Sequence, residues 1–317
     1  MSIAGIIVNY RTPELTVKAV GSLREETKSL APSCVYVVDN ASADGSAALL
    51  TQAIEQEGWR DWVVLIEAAS NGGFGYGINL AVRRALAAKE PPDYFYVLNP
   101  DALVEPGSLA RMVAFLDRHP EAGLAGSHIR GTDGRTLVSA FRFPSLLGEI
   151  ENAASLGPVT WLLRGHAVSL PSPLSDCEVD WISGTSMLIR RSTFETVGLF
   201  DEEFFLYFEE VDFCRRARKA GIQSYFVADA SITHIGGAST GMMDETRAMP
   251  SYWFESRHRY FRKHHSAAYA AACDLARVLG MLIWHAKERM FGRPGKWRPH
   301  LLRDFCAASW KNLRGGL

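Results

Sequence analysis

The N-terminal third of the sequence alternates short apolar runs with segments of helical spacing. "IAGIIVNY" and "CVYVVDN" are typical of the runs, which span residues 3–10, 34–40, 62–68 and 93–102. After the first run, Thr12 is placed as an N-cap with Pro13 at the first helical position. Buried strands that alternate with helices in this way indicate a parallel sheet. The sequence therefore predicts an α/β fold with a mainly parallel central sheet flanked by helices.

The pattern changes in the middle of the chain. "GTDGRTLVSAF" predicts a β-hairpin that turns at residues 133–134. Residues 145–180 are rich in Gly and Pro and are predicted to form an irregular loop or flap. Further strands are predicted at 184–191 and 223–230, and the chain beyond Pro250 is predicted to be helical.

A long apolar segment, residues 267–284, is interrupted by Asp274 and Arg277. Both charges would need partners within a bilayer, so a membrane span is disfavoured. An amphipathic helix that packs on the body, on a partner or at a membrane interface fits better. We divide the chain into a body, residues 1–250, and a helical basic extension, residues 251–317.

Charge is unevenly distributed between these two parts. The formal net charge is -1, yet residues 251–317 hold 13 Lys and Arg against 4 Asp and Glu, a net charge of +9. Residues 1–250 hold 21 Lys and Arg against 31 Asp and Glu, a net charge of -10. The basic extension either meets an anionic partner, such as a membrane surface or lipid phosphate, or packs on the acidic body.

The cysteines and the N-terminus bear on the compartment. Five cysteines, an odd number with no C-x-x-C pair, suggest neither a disulfide framework nor a zinc site, which favours a reducing cytosol. "MSIAGIIVNYRTPE" lacks a basic segment before its apolar run and is predicted to be a first strand rather than a signal peptide.

Polar residues follow the predicted parallel strands where each strand ends. Strand one ends at 9–10 in Asn-Tyr, strand two at 39–40 in Asp-Asn, and strand four at 99–101 in Asn-Pro-Asp. Open parallel sheets bind their ligands at the carboxyl ends of the strands. Asp39 and Asp101 are therefore predicted to share a ligand-binding edge.

A glycine-rich turn follows strand three. "SNGGFGYGIN" (70–79) has four glycines in six residues, which would let backbone N–H groups approach a phosphate. Its G-x-G-x-G spacing, after the third strand, argues against a dinucleotide fold. Near the end of the body, His234 precedes "GGASTGMMDE", predicted to be a mobile loop, and could join Asp101 on a divalent metal.

"YFEEVDFCRRAR" (207–218) holds three acids that a helical wheel separates. At about 100° per residue from Phe208, Glu209 and Asp212 fall on a face predicted to be solvated or paired. Asp212 and Arg216 have the i,i+4 spacing of an ion pair. Glu210 falls among the packing residues, where desolvation would raise its pKa and suit it to general-base catalysis. Alternatively, Glu210 lies in the first turn and complements the helix dipole.

These segments together resemble a known family. The chain carries "IIVNYRTPELTVKAVGSL", "VVDNASADGS", "NGGFGYGIN", "LNPDALVEPGSL", "ISGTSMLIRRSTFETVGLFDEEFFLYFEEVDFCRRARKAG" and "HIGGAST", in that order. Over roughly residues 1–240 it resembles the family 2 inverting glycosyltransferases with the GT-A fold, in particular the rhamnosyltransferase-like members. Residues 1–105 would then form a nucleotide-binding half and residues 106–250 an acceptor half.

The resemblance implies a role for each matching residue. Glu210 would be the catalytic base, in the second position of the family's Glu-Asp pair, and one methylene longer than Asp. Asp101 and His234 would bind a divalent metal, Mg²⁺ or Mn²⁺, and Asn99 stands where the family has its first metal-binding acid. The donor-binding residues would be Asn9, Tyr10, Asp39, Asn71, Gly73, Asn79, Asn99 and Asp101. The acceptor side would hold Trp181, Ser183, Gly184 and Glu209.

The implied reaction moves a sugar from a nucleotide-diphosphate donor to a saccharide or lipid-linked acceptor in bacterial cell-surface polysaccharide synthesis. The resemblance favours dTDP-rhamnose as donor, with UDP-sugars next, in the cytoplasm or at the inner face of the membrane. No nucleic-acid partner is expected. Peripheral membrane association and a homo-oligomer through the C-terminal helices both stay open. The alternatives are a nucleotidyltransferase on sugar phosphates and a non-catalytic nucleotide-sugar-binding protein.

Overall fold

The four apolar runs of the N-terminal third form the parallel strands β1 to β4. The computed structural model gives β1 Ile3–Asn9, α1 Pro13–Thr27, β2 Ser33–Asp39, α2 Ser46–Gln56, β3 Val63–Glu67, α3 Phe74–Leu86 and β4 Tyr94–Leu98. These strands pair in the order β3-β2-β1-β4, all parallel. The predicted βα alternation is therefore confirmed, including the start of α1 at Pro13.

The remainder of the chain adds eight strands and eight helices among the described residues. The strands are β5 Ala102–Val104, β6 Ala122–Gly131, β7 Thr136–Leu137, β8 Ala140–Phe141, β9 Cys177–Val179, β10 Trp181–Ile182, β11 Ser186–Arg190 and β12 Gln223–His234. The helices are α4 Ser108–Arg118, α5 Leu146–Ala154, α6 Gly157–Leu163, α7 Arg191–Val197, α8 Glu209–Lys219, α9 Ser251–His264, α10 Ala267–Phe291 and α11 Leu301–Gly315. Beyond β4 the sheet continues β11-β6-β12-β5, and β11 is antiparallel to both of its neighbours. The sheet is thus parallel in its first half and mixed in its second.

Two predictions for the middle of the chain have opposite outcomes. The hairpin is confirmed, since β6 and β7 pair antiparallel around Gly134, whose φ is 77°. The prediction of an irregular segment over 145–180 is wrong in part, because α5 and α6 lie within it. Helix α5 is capped by the Ser145 side chain, and Pro158 stands in the first turn of α6, so one proline starts a helix instead of breaking it.

The structure describes residues 2–27, 33–173, 175–236, 247–291, 298 and 300–315. Residues 237–246, which hold most of the loop predicted to be mobile, lie outside the described residues. The chain divides into a sheet unit and a helical unit. The sheet unit comprises residues 1–141, 171–205 and 209–241, and the helical unit comprises residues 142–170, 206–208 and 242–317. These limits differ from the predicted division at residue 250, because residues 142–170 group with the C-terminal helices.

In the sheet unit, strand pairing brings the predicted site residues towards one edge. Asn9 and Asp39 are direct partners in the β1–β2 register. His234, at the end of β12, pairs with Ala102 at the start of β5, directly after Asp101. Residues far apart in sequence are therefore fixed by the backbone ladder rather than by loop conformation.

In the helical unit, α5 and α10 cross closely at Gly280. A Cβ on Gly280 would lie 2.6 Å from the Cβ of Ala153, so glycine permits the approach. Helices α9 and α11 join them through an apolar cluster that includes Phe254, Met281 and Phe305.

Four buried charges lie in this unit. Arg257 of α9, 1% exposed, donates to Glu149 of α5 and to Asp274 of α10. Arg277 of α10 donates to the same Glu149 oxygen at 3.0 Å. Both charges that interrupt the apolar segment of α10 therefore have partners inside the protein, as a packed amphipathic helix requires.

Candidate active site

The end of β1 carries a buried hydrogen-bond hub. The Asn9 side chain has no exposed surface, and its amide nitrogen donates to Asp39 Oδ1 at 2.7 Å and to Ser42 Oγ at 3.2 Å. Its oxygen accepts from the Thr16 hydroxyl at 2.9 Å and from the Thr12 backbone N–H at 3.2 Å. Asn9 therefore orients Asp39 from beneath, and in this structure its own side chain is not open to a ligand.

Asp39 and the loop after it form the outer part of this site. Asp39 also accepts from the hydroxyl and the backbone N–H of Ser42, at 2.6 and 3.2 Å. The Arg11 backbone N–H donates to Ser42 Oγ at 3.0 Å, and the exposed Arg11 guanidinium lies 5.0 Å from the centre of the Tyr10 ring. Tyr10 and Arg11 thus border the strand end with an aromatic ring and a cation, groups suited to a base and a phosphate.

The glycine-rich turn is tied to the end of β2. Asn40 donates to Asn71 Oδ1 and to the Gly73 carbonyl, both at 3.0 Å, and Asn71 accepts from the Gly73 N–H at 3.1 Å. Gly73 has φ 92°, and a Cβ there would collide with the backbone of Phe205. Only glycine therefore fits this point of the turn.

The Asn79 side chain, predicted to bind the donor, makes its described hydrogen bonds to residues 200–202, and its donor role stays a prediction. Its side chain is fully buried, donates to the Phe200 carbonyl at 2.9 Å and to Glu202 at 2.8 Å, and accepts from the Phe200 N–H at 3.0 Å. It holds residues 200–202 in place.

The end of β4 is linked to the turn before β11. The Asn99 backbone N–H donates to the Thr185 carbonyl at 3.0 Å, and the Ser183 and Thr185 hydroxyls lie 2.9 Å apart. A Cβ on Gly184 would lie 3.0 Å from the Phe74 ring. Asn99, Ser183 and Gly184 thus lie on connected turns, while their donor and acceptor roles stay predictions.

Asp101 and His234 meet as predicted. His234 Nε2 lies 3.1 Å from Asp101 Oδ1, and the Ile235 N–H donates to the Asp101 carbonyl at 2.9 Å. Asp101 is buried and the His234 side chain is partly exposed. Carboxylate oxygen and imidazole nitrogen are both metal donors. The described residues include no group of three or more His, Cys, Asp or Glu side chains placed to hold a metal, so this pair could supply only part of a coordination sphere.

Helix α8 begins with two acids, one buried and one half-buried. Glu209 is 2% exposed and Glu210 is half-buried, and the Oε2 atom of each has no hydrogen-bond partner among the described residues. Burial raises the pKa of Glu210 to about 7, although its own N–H and that of Val211 favour the charged form. Burial and the neighbouring Glu210 raise the pKa of Glu209 well above its usual range. A carboxylate with one free oxygen and a pKa near neutrality is suited to accept a proton.

The wheel put Glu210 on the packing face and Glu209 on the solvated or paired face, and the structure has the reverse order of burial, with Glu209 buried and Glu210 half-buried. Helix α8 starts at Glu209 and not at Phe208, and its first turn is enclosed, so Glu209 is buried against Gly75 of α3. Asp212 is paired as predicted, accepting from Arg216 Nε at 2.9 Å, but it too is fully buried.

On the predicted acceptor side, Trp181 of β10 stacks on Phe141 of β8. The ring centres lie 3.9 Å apart with planes at 10°. Trp181 is half-buried, and an exposed part of an aromatic surface is a common platform for a sugar ring. Its role is still a prediction.

Sequence reasoning missed two positioning residues, Asn40 and Ser42. Both occur in "VVDNASADGS", where Asn40 was noted only as a strand end, and Ala41 and Ala43 adopt a positive φ of 54° around Ser42. That backbone geometry is not readable from residue types, since alanine rarely marks a left-handed turn.

Residues 6–170 match the family model described as Glycosyl transferase family 2. The chain is 35% identical over 220 residues to N-acetylglucosaminyl-diphospho-decaprenol L-rhamnosyltransferase of Mycobacterium tuberculosis, an alignment that covers 66% of this chain and 69% of the relative. It is 30% identical over 161 residues to the rhamnosyltransferase WbbL of Escherichia coli, covering 49% and 58% of the two chains.

Among solved structures, the chain resembles the mannosyltransferase PcManGT from Pyrobaculum calidifontis in complex with GDP-Man and Mn²⁺. The TM-score is 0.59 at 16% identity, with 99% of this chain and 88% of that chain covered. It also resembles S. aureus TarS 1-349 in complex with UDP-GlcNAc, with a TM-score of 0.54 at 16% identity and coverage of 97% and 79%. These neighbours are GT-A glycosyltransferases, and the predicted GT-A fold is confirmed.

Proposed function

The chain belongs to glycosyl transferase family 2, and from this we propose that it transfers rhamnose from dTDP-rhamnose, with inversion, to a saccharide or lipid-linked acceptor. Glycosyltransferase activity follows from the family and from the rhamnosyltransferase relatives. The donor nucleotide and the acceptor are part of the proposal, which places the enzyme in bacterial cell-surface polysaccharide synthesis.

The half-buried Glu210 carboxylate, whose Oε2 has no hydrogen-bond partner among the described residues, carries this proposal. In the reaction, the acceptor oxygen attacks the anomeric carbon while the bond from that carbon to the diphosphate oxygen breaks on the opposite face. The hydroxyl proton passes to Glu210, a transfer that contributes roughly 10²–10⁴-fold to the rate. Glu209 is more deeply buried, and burial and the neighbouring Glu210 raise its pKa, which disfavours a second negative charge on the pair.

Asp101 and His234 fit a divalent metal held jointly with the donor. Mg²⁺ and Mn²⁺ favour oxygen ligands, and Mg²⁺ commonly binds through one or two carboxylates plus substrate phosphates, so a two-residue protein set agrees with a diphosphate donor. When bound, the metal stabilises charge on the leaving diphosphate. The contribution of these two residues is to place the buried Asp101 carboxyl group 3.1 Å from Nε2 of His234 at the strand edge.

Asp101→Ala is expected to weaken metal-dependent donor binding by at least about tenfold, because one of the two protein ligands is lost. Calorimetry with dTDP-rhamnose, with and without Mn²⁺, measures it. Asp133→Ala in the exposed hairpin is the matched control and should bind as the wild type does. Equal metal dependence in wild type and Asp101→Ala would remove Asp101 from the site.

The donor is tested by thermal-shift screening against dTDP- and UDP-sugars with Mn²⁺, followed by an assay of nucleoside diphosphate release. Release of the diphosphate from a nucleotide sugar supports transfer, and NMR of the first-formed sugar should show the anomer opposite to that of the donor. A nucleotidyltransferase would instead release pyrophosphate from a nucleoside triphosphate. A sensor would bind the donor without turnover.

The lipid-linked acceptor is supported by a surface of the helical unit. An apolar stripe on α10 is exposed at Leu275, Leu279, Leu282, Ile283 and Met290, and Trp161 and Leu162 of α6 are about 70% exposed. The unit holds 16 Lys and Arg against 8 Asp and Glu, a net charge of +8. An apolar face on this basic helical unit suits an anionic bilayer surface. The enzyme is proposed to bind the membrane peripherally from the cytoplasm.

Helix α10 is also long and apolar enough to cross a membrane, although 44% of its apolar window is buried inside the protein. The charged partners of Asp274 and Arg277 lie within the same unit, which favours surface contact over a span.

The double variant Leu279→Glu, Leu282→Glu is expected to reduce binding to anionic vesicles by about tenfold or more, because each exposed leucine would lose its apolar contact. Flotation with phosphatidylglycerol vesicles measures this, and Leu49→Glu on α2 is the control with a comparably exposed leucine. Retained flotation, or a dimer-to-monomer change by sedimentation without any vesicle binding, would assign the stripe to a second copy of the chain instead.

A further inference from the structure

Residues 206–208 lead directly into α8 and have an unusual backbone. Tyr207 and Phe208 have φ angles of 67° and 69°, in the left-handed region. Bulky aromatic residues are disfavoured there, because Cβ approaches the following carbonyl oxygen. Two such residues in succession persist only when their surroundings hold them.

Helix α9 supplies that support. Ser256, which is buried, donates its hydroxyl to the Leu206 carbonyl at 3.0 Å. The Phe208 ring lies edge-on to Trp253, with centres 6.3 Å apart, and 5.6 Å from the buried Tyr260. Tyr207 in addition stacks on Tyr252, with ring centres 6.2 Å apart.

The two ends of this segment are fixed differently. Before it, the Phe205 carbonyl accepts from the Phe74 N–H at 3.0 Å, at the point where only Gly73 fits. After it, Glu209 and Glu210 are the first two residues of α8. With only three residues between the fixed carbonyl and the acids, the torsions of 206–208 determine where the first turn of α8 starts.

We propose that α9 is a positioning element for the catalytic base, holding residues 206–208 in a left-handed conformation that orients Glu209 and Glu210. The proposal rests on the proposed function for the role of Glu210, but the conformational part stands apart from it. Helix α9 is itself anchored by Arg257, directly after Ser256, through the buried ion cluster. Ser256, Trp253 and Tyr260 act through the backbone and do not touch the reacting atoms.

The test compares two substitutions at Phe208. Phe208→Ala removes the aromatic contact and keeps the cost of the left-handed backbone, whereas Phe208→Gly removes both. We expect Phe208→Ala to lower kcat about 10–100-fold with donor KM changed less than about threefold, because the base is misplaced rather than the donor site. Phe208→Gly should regain part of kcat, since glycine adopts this φ freely. A role in general stability predicts the reverse order, with glycine the more damaging.

Ser256→Ala provides a second measurement, with Ser251→Ala, at the exposed first residue of α9, as its matched control. Hydrogen exchange at the amides of residues 209–212 should quicken in Ser256→Ala and stay unchanged in Ser251→Ala. Equal kcat in wild type and both Phe208 variants, or unchanged exchange in Ser256→Ala, would overturn the proposal. If the wild type turns over no nucleotide sugar, the proposed function fails, while the exchange experiment still decides whether α9 holds the segment.

Discussion

Glu210→Gln is expected to lower turnover by about 10²–10⁴-fold while donor affinity stays within about twofold. The amide has nearly the same shape but cannot accept the acceptor proton, so the loss falls on kcat. Steady-state kinetics and calorimetry with the donor separate the two effects. Glu209→Gln is the neighbouring comparison. If it, rather than Glu210→Gln, abolished turnover, the two acids would exchange roles.

The pH profile of the same reaction carries an independent signature. Glu210 must be ionised to act as a base, and its pKa is raised to about 7, so kcat/KM should rise with pH through about 7 and then level. If kcat/KM instead rose through about pH 4.5, the ordinary pKa of a glutamate, Glu210 would not be the titrating base.

Measuring thermal stability against pH tests whether Glu210→Gln lowers turnover by destabilising the fold. Because the folded pKa of Glu210 lies above the unfolded value of 4.5, the folded state binds the proton more tightly, and wild-type stability falls as pH rises from about 4.5 to about 7. Glutamine has no such titration. Between pH 5 and pH 8 the Tm of Glu210→Gln should therefore rise relative to wild type, and a Tm well below wild type at pH 8 would indicate a structural defect instead.

Much of the fold of the sheet unit could be predicted from short segments of the sequence. Each parallel strand has its own apolar run, and strand-end polar residues such as Asp39 and Asp101 lie at one edge because parallel strands end together. The His234–Asp101 pair could not be predicted from a short segment, because the two residues are 133 positions apart in the sequence. The position of His234 at a strand end suggested that pairing, the family motifs supported it, and the register of β12 explains it.

The features that could not be predicted share a non-local cause. Asn79 is the last residue of the glycine-rich segment, but its partners at residues 200–202 are some 120 positions away and take all of its described hydrogen bonds. Glu209 lies on a polar face of the wheel, yet the segment before α8 is left-handed and the first turn is enclosed on both faces. The helices within 145–180 could not be predicted locally, because Glu149, the charge that anchors α5, pairs with Arg257, 108 residues away.

Glu149→Ala is expected to lower the free energy of unfolding of the helical unit by about 3–5 kcal/mol, because it removes the carboxylate that two buried arginines share. Burial alone would raise the pKa of Glu149, yet Arg257 and Arg277 outweigh it and hold the pKa below its usual range, so the carboxyl is charged at neutral pH. Urea unfolding followed by tryptophan fluorescence, with Trp253 and Trp284 in this unit, measures the loss.

Glu151→Ala, on the same helix, is the matched control. Its carboxylate accepts only an exposed hydrogen bond from Thr160 among the described residues, so the change should cost less than about 1 kcal/mol. The double variant Glu149→Leu, Arg277→Met should recover much of the loss, because it removes one charge of each sign and leaves Arg257 bonded to Asp274. If the single and double variants were equally unstable, the effect would come from lost packing of α5 against α10 rather than from an uncompensated buried charge.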